Sequence, residues 1–322
     1  MMRRARLAVL FALCLLALPH AAAQSYPQKP IRMVVPFAPG GTTDIVARML
    51  SAKLSQPLGQ SLVVENRPGA NGIVGSEIVA RAAPDGYTVL MGYLGNLAIN
   101  PAIYAKLSYD PVRDYAPVTL VASTTQAIVV NPSLQAKSVS ELIALAKARP
   151  GQLNYASAGV GAPSHLSGEL FKQMAGIDMV HVPYKGGGAL MADLLSGQVL
   201  ISFGGLAAAL PHVKSGKLRL LAVASGTRAA AVPDVPAVAE TVPGFDVPSW
   251  LGVMAPAGTP REIVERLHAE IAKVLTQQDM KERLAAEGGE VIAGGPEQFA
   301  AYLKSEIAKW AKVVKDARIP AQ

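Results

Sequence analysis

Cysteine is almost missing from this chain: Cys14 is the only one in 322 residues. It lies inside the N-terminal apolar run, so everything beyond that run lacks thiol chemistry. That removes disulfide staples, zinc-thiolate and iron–sulfur sites, and cysteine nucleophiles. Aromatic residues are scarce at 5%, and charged ones make up only 16%. No Lys/Arg stripe interleaved with aromatics occurs, which excludes nucleic acid as an expected partner. The histidines His165, His181, His212 and His268 stand far apart and show no metal-ligand spacing, so neither a metal nor another cofactor is expected.

At the N-terminus, Arg3, Arg4 and Arg6 precede an apolar run over residues 7–18 and the small residues Ala21, Ala22 and Ala23. This pattern predicts a cleaved secretory signal over residues 1–23 and an extracytoplasmic product, in the periplasm. A membrane anchor is disfavoured, because a bilayer span needs roughly 20 apolar residues and Pro19 and His20 end this run early. A lipoprotein through Cys14 is disfavoured by Leu13, which stands where such signals need a small side chain. Without the leader's three arginines the formal charge drops from +7 to +4. That mild excess of positive charge suits an anionic ligand.

Hydrophobic residues make up 51% of the chain, a globular composition, and its length favours two domains over one core. From Tyr26 onward, short β-branched runs alternate with helical patterns, which predicts α/β layers. Strands are expected at 31–36, 61–65 and 88–92, with an amphipathic helix at 44–58. A second set follows: strand 127–130, helix 139–148, strand 153–156, a loop, and a helix starting near Leu166. Strands at 179–183, 199–203 and 218–224 continue it. After proline-rich turns come one strand, 250–254, and two long helices with the stripes Ile263, Leu267, Ile271, Val274 and Phe299, Leu303, Ile307, Trp310, Val314. Those helices have no sheet of their own, so they are expected to return to the first domain. The expected division is lobe one at 24–124 and 249–322 and lobe two at 125–248. Two parallel connections, 117–126 and 247–255, would form a hinge.

Two loops carry the chemistry. In the first, a strand ends at Val35, Gly40 and Gly41 free the backbone, and a helix begins with Thr42, Thr43 or Asp44 in capping position. Unpaired N–H groups and the dipole at a helix start favour a carboxylate or phosphate. The second loop runs from Ser157 through Ala158, Gly159, Val160 and Gly161 to Ser164 and His165, and it has the same character. An ordinary capped strand-to-helix turn accounts for either loop alone; the pair together points to a clamp for an acidic ligand. Nucleotide and hydrolase motifs fail. Gly159-Val160-Gly161 lacks the third glycine of the dinucleotide fingerprint, Lys185-Gly186-Gly187-Gly188 is not a P-loop, and Ser157 lacks the first glycine of the nucleophile elbow. His165 and Glu169, four apart on one helix, lack a third metal ligand.

Several strings in register resemble the Bug (TctC) family of extracytoplasmic solute receptors. They include Val63-Val64-Glu65-Asn66-Arg67-Pro68-Gly69, Pro84-Asp85-Gly86-Tyr87-Thr88, His181-Val182-Pro183-Tyr184-Lys185-Gly186 and Ala255-Pro256-Ala257-Gly258-Thr259-Pro260. The resemblance implies a type II periplasmic-binding fold of two α/β lobes joined by a two-strand hinge. In that fold the ligand sits between the lobes and no reaction follows. Carried onto this chain, Pro39, Gly40, Gly41 and Thr42 would meet the first carboxylate, with Asp44 steadying their loop. Ser157, Ala158, Gly159, Val160 and Gly161 would meet the far end, backed by Ser164 and His165. Tyr184 would line the second lobe, and Phe37, Asn96 and Gly204 complete the expected set.

One departure concerns ligand type. Relatives commonly have Gly-Gln-Val-Asp and then an acidic residue after the next strand, where this chain has Gly197-Gln198-Val199-Leu200 and Phe203-Gly204-Gly205. The change leans away from amino acids and towards dicarboxylates, tricarboxylates or aromatic acids. The expected partners are that small anion and membrane transporter subunits, with the receptor a monomer. A sensory adaptor using the same cleft is the alternative reading, and a hydrolase the remote one.

Overall fold

The computed structural model describes residues 26–247, 249–286, 288–316 and 319; the expected leader, residues 1–23, lies outside them. The chain begins with β1 (Ile31–Val35), α1 (Thr42–Leu58), β2 (Leu62–Asn66), α2 (Ile73–Ala80), β3 (Thr88–Tyr93), α3 (Asn100–Ile103) and β4 (Tyr115–Thr124). A second group follows: β5 (Gln126–Val130), α4 (Val139–Ala148), β6 (Asn154–Ser157), α5 (Pro163–Ala175), β7 (Val180–Pro183), α6 (Gly187–Ser196), β8 (Ile201–Gly205), α7 (Leu206–Lys214) and β9 (Arg219–Val223). The last group is β10 (Ser249–Pro256), α8 (Arg261–Leu275), α9 (Gln278–Ala286), β11 (Gly289–Gly294) and α10 (Pro296–Asp316).

These strands form two sheets, one in the order β11-β4-β10-β3-β1-β2 and the other in the order β7-β6-β8-β5-β9. In the first, β1 runs parallel to β2 and β3, while β10 is antiparallel to β3 and β4. Both faces of that sheet are covered, and the strands alternate accordingly. Ile31, Met33 and Val35 enter one core and Val34 the other; Leu251 and Val253 oppose Trp250 and Met254 in the same way. The apolar stripe of α8 (Leu267, Ile271, Val274) joins Val46 and Leu50 of α1 in the first of these cores. Phe299, Leu303, Trp310 and Val314 of α10 fill the other. Here Trp250 meets Phe299 edge-on at 5.6 Å, and the indoles of Trp250 and Trp310 both donate to the Glu306 carboxylate, at 3.0 and 3.2 Å.

The late helices therefore cover the first sheet, as their stripes predict, but α9 and the edge strand β11 go beyond the expected single strand and two helices. β11 is bounded by glycines and half exposed, so it carries no β-branched run to mark it. The connections at 117–126 and 247–255 become β4 and β10, adjacent and antiparallel, with Ser249 opposite Thr124. Only Thr125 separates β4 from β5, so the chain steps from one sheet to the other in a single residue.

Candidate functional site

The turn between β1 and α1 is held by a single carboxylate. Gly41, not Thr42, Thr43 or Asp44, is the residue flanking the helix, and no side chain caps it. Asp44 is buried in the first turn and reaches back to accept the Gly40 N–H at 3.0 Å. Its carboxylate also accepts from Arg48 Nε at 3.0 Å and from Asn66 Nδ2 at 2.9 Å. Asn66 in turn donates to the Phe37 carbonyl at 3.0 Å and accepts from Arg48 at 3.0 Å. Burial pushes the Asp44 carboxyl up, but the bonds from Arg48, Gly40 and Asn66 outweigh it and hold the group below the usual carboxylate range. The consequence is local: the brace takes the Gly40 N–H and leaves those of Gly41, Thr42 and Thr43 without a partner among the described residues.

The turn between β6 and α5 is held from inside. The helix starts at Pro163, a turn before the expected Leu166, because proline suits a first helical position and needs no N–H partner. Ser164 Oγ accepts from Ala158 N–H at 2.9 Å, Ser157 Oγ from Gly159 N–H at 3.2 Å, and His165 Nδ1 from Gly161 N–H at 3.2 Å. Three of the five expected donors are thus occupied by the loop's own side chains. Behind them, His165 stacks on His181 at 4.1 Å, and His181 Nε2 lies 2.5 Å from Ser157 Oγ. Tyr155 and Lys172 both donate to Glu169, at 2.6 and 3.0 Å. Burial, then the neighbouring His165, pushes His181 down to about 3. Burial also lowers His165, with Glu169 opposing. Both imidazoles are therefore neutral near pH 7, which lets His165 Nδ1 accept.

Between the sheets lies a cavity of about 50 Å³ lined in part by Phe37, Gly41, Thr42, Ala158, Ser164 and Gly204 of the expected set. A neighbouring one of about 240 Å³ takes Gly159, Val160 and Tyr184, and shares Phe37 and Ala158 with the first. Pro39, Gly40, Asp44, Ser157, Gly161 and His165 line neither, and of these Asp44, Ser157 and His165 hold the two turns. Asn96 is a correction. It is fully buried, accepts from Tyr93 N–H at 2.9 Å and donates to Ser76 Oγ at 2.8 Å, so its amide holds the first lobe's interior together.

Four helix starts, those of α1, α5, α6 and α7, border the smaller cavity, and none has a side-chain cap. By contrast α4, away from it, is capped by Ser138, which accepts from Glu141 N–H at 3.1 Å. Each start carries about half a positive charge, and no ionised side chain lies in the cavity wall. Tyr93, pushed up to about 12 by burial, is neutral. Leu190, Met191 and Ala208 supply apolar surface. The arrangement can hold an anion by backbone dipoles, and among the described residues no group of His, Cys, Asp and Glu could hold a metal ion.

The two lobes meet closely around it. A Cβ on Gly188 would lie 2.0 Å from the Pro39 carbonyl oxygen, and one on Gly205 would lie 2.1 Å from Thr42 Oγ1, so glycine backbone sits directly against the other lobe at both points. Tyr104 donates to the Val160 carbonyl across the same gap at 3.2 Å. Sequence reasoning missed Tyr93, Gln126, Gly187 and Gly205 in this wall. The run Lys185-Gly186-Gly187-Gly188, dismissed as a phosphate loop, was the available signal: it ends in an uncapped helix start.

Comparison with known proteins places the chain among transport receptors. Residues 46–319 match the model of the tripartite tricarboxylate transporter family receptor. Rpa4515 of R. palustris, solved with adipate, is 38% identical with a TM-score of 0.90 over 92% of this chain and 100% of that one. The periplasmic binding protein BugD is 35% identical, with a TM-score of 0.89 over 92% and 100%. MatC from Rhodopseudomonas palustris, with bound malate, is 35% identical, with a TM-score of 0.85 over 90% and 100%.

Proposed function

Because the chain belongs to the tripartite tricarboxylate transporter receptor family, we propose that it captures a small carboxylate in the cavity between its two sheets and hands it unchanged to a membrane transporter. The family and the structural neighbours are substrate-binding proteins, not enzymes, and they are periplasmic. Export through a cleaved leader at residues 1–23 fits that setting. On this reading the lobes are 24–124 with 249–322 and 125–248, the receptor works as a monomer, and β4 and β10 form the hinge.

The observation that carries the proposal is the set of uncapped helix starts around a cavity free of charged side chains. Water-exposed helix ends satisfy their N–H groups with solvent; where several ends converge on one cavity, their summed positive charge favours an anion over water. The first carboxylate meets Gly41, Thr42 and Thr43, and Asp44 fixes the loop that presents them. The ligands of Rpa4515 and MatC, adipate and malate, support a carboxylate of that size.

A thermal-shift screen of adipate, malate, citrate and benzoate tests this. Ligand at a hundred times its dissociation constant adds about 2.7 kcal/mol. At roughly 2–4 °C per kcal/mol, the melting temperature rises by several degrees. Mass spectrometry recovers the ligand intact. No shift with any carboxylate, or turnover of one, overturns the proposal.

A further inference from the structure

Gln126 opens β5 and is 2% exposed, in the wall of the smaller cavity. Its amide nitrogen donates to the hydroxyl of Tyr93, on β3 of the other sheet, at 2.7 Å, and its carbonyl oxygen has no partner among the described residues. Turning the amide over would let Tyr93 donate to the oxygen and leave the NH2 group facing inward. In either orientation one end is tied across the hinge and the other is left over. That end is not sealed off, so a ligand group entering the cavity can reach it and replace water there. The hydroxyls of Thr42 and Thr43 in the same wall can rotate between donating and accepting, whereas the Gln126 amide is fixed by its bond to Tyr93.

We infer that Gln126 is a specificity-determining residue, selecting a carboxylate that also bears an uncharged hydrogen-bonding group, a hydroxyl or oxo group, near its acid end. The inference rests on the proposed carboxylate site and adds what that site discriminates. An amide is neutral, so it offers no advantage to a second charge. It offers one directed hydrogen bond, and that bond separates a hydroxy acid from its deoxy analogue: the analogue would cover the amide's spare end without pairing it, at a cost the hydroxy acid avoids. Tyr93 acts through Gln126 as a positioning residue. Its ring packs edge-on to Phe37 at 5.8 Å, which fixes where its hydroxyl stands.

The test uses matched pairs differing by one hydroxyl: succinate and malate, adipate and 3-hydroxyadipate, 3-phenylpropanoate and phenyllactate. Calorimetry on the parent gives at least about a tenfold preference for the hydroxylated member of whichever pair binds. Gln126→Leu, of similar size, brings the two members to within about twofold by weakening the hydroxy acid and not its analogue. Tyr93→Phe, which frees the amide, narrows the ratio without abolishing it, and it serves as the test if Gln126→Leu does not fold. An equal affinity within every pair in the parent, or a ratio untouched by both variants, overturns the inference. Binding of no member of any pair is a different failure, since it removes the carboxylate reading beneath it.

Discussion

The two strand-to-helix turns that flank the cavity look alike in sequence and are built in opposite ways. The Val35–Thr42 turn is braced by one carboxylate, Asp44 of the helix it enters, itself held by Arg48 and by Asn66 from β2, and only its Gly40 donor is taken. The Ser157–Pro163 turn is braced by Ser157, Ser164 and His165 of its own segment, and three of its five expected donors are taken. A glycine-rich loop before a helix is therefore not enough to identify an anion site; what matters is how many of its N–H groups its braces consume. The first turn is a donor surface, and the second is a rigid wall.

The largest effect that would break this contrast comes from Asp44→Ala. It leaves the Gly40 N–H and the Asn66 amide without their acceptor, and bonds to charged groups are worth about 1.5–3 kcal/mol each. Stability in urea should fall by about 3 kcal/mol, and ligand affinity with it. An unchanged midpoint would show that the first turn stands without its carboxylate brace.

Gly188→Ala comes next. The added methyl meets the Pro39 carbonyl, and opening the hinge relieves the clash, so the fold persists while closure does not. Affinity should drop about a hundredfold, or roughly 2.8 kcal/mol at 1.4 per decade. Scattering of the ligand-bound protein should show a more open particle than the parent.

Acid should separate the two turns by where each begins to fail. His165 and His181 are depressed in the folded chain, so the unfolded chain binds protons first as pH falls below about 6.5. Stability tied to the second turn is therefore complete above that value and lost as pH falls towards about 3 for His181. Asp44 is also depressed, so its contribution persists above the ordinary carboxyl range and disappears only below it. At 1.36 kcal/mol per pH unit, discounted for partial exposure, the fall by pH 4.5 is about 2 kcal/mol. His181→Phe should flatten that limb and Asp44→Asn should not. The reverse result would mean that the second turn is not the acid-labile one.

The smallest steric effect is at Gly41. A Cβ there meets nothing closer than 3.8 Å, so Gly41→Ala should bind within about twofold of the parent. Gly41→Asp, which sets a negative charge beside the ligand's carboxylate, should lose at least about tenfold. Equal losses in both would make the site steric and not electrostatic.

Much of the fold was readable because its signals are local. Helix α4 lies at the expected residues, since Ser138 caps its start and Pro150-Gly151 stops it. The stripes of α8 and α10 were visible for the same reason. The start of α5 was not, because proline and alanine stand where a capping side chain would have marked it. Gly41, Gly159 and Tyr184, which the motifs single out, do line the two cavities. Asn66, Gln126 and Tyr93 were not singled out, because their importance comes from partners 22, 33 and 33 residues away. Asn96 was overvalued because a polar residue after a strand reads as a loop ligand, whereas here the chain coils inward and buries it.

The sheet order carries a consequence for how the molecule is made. β10 inserts between β3 and β4, so the first sheet keeps a gap along the β3 edge until residues 249–256 arrive. The second sheet needs only β5 to β9, an unbroken stretch. A chain emerging from its N-terminus thus completes the second lobe first and the first lobe last, although the first begins earlier. Until then β3 offers an unpaired, apolar edge, the kind of surface on which nascent chains associate with one another. Truncation before residue 249 would make that exposure permanent.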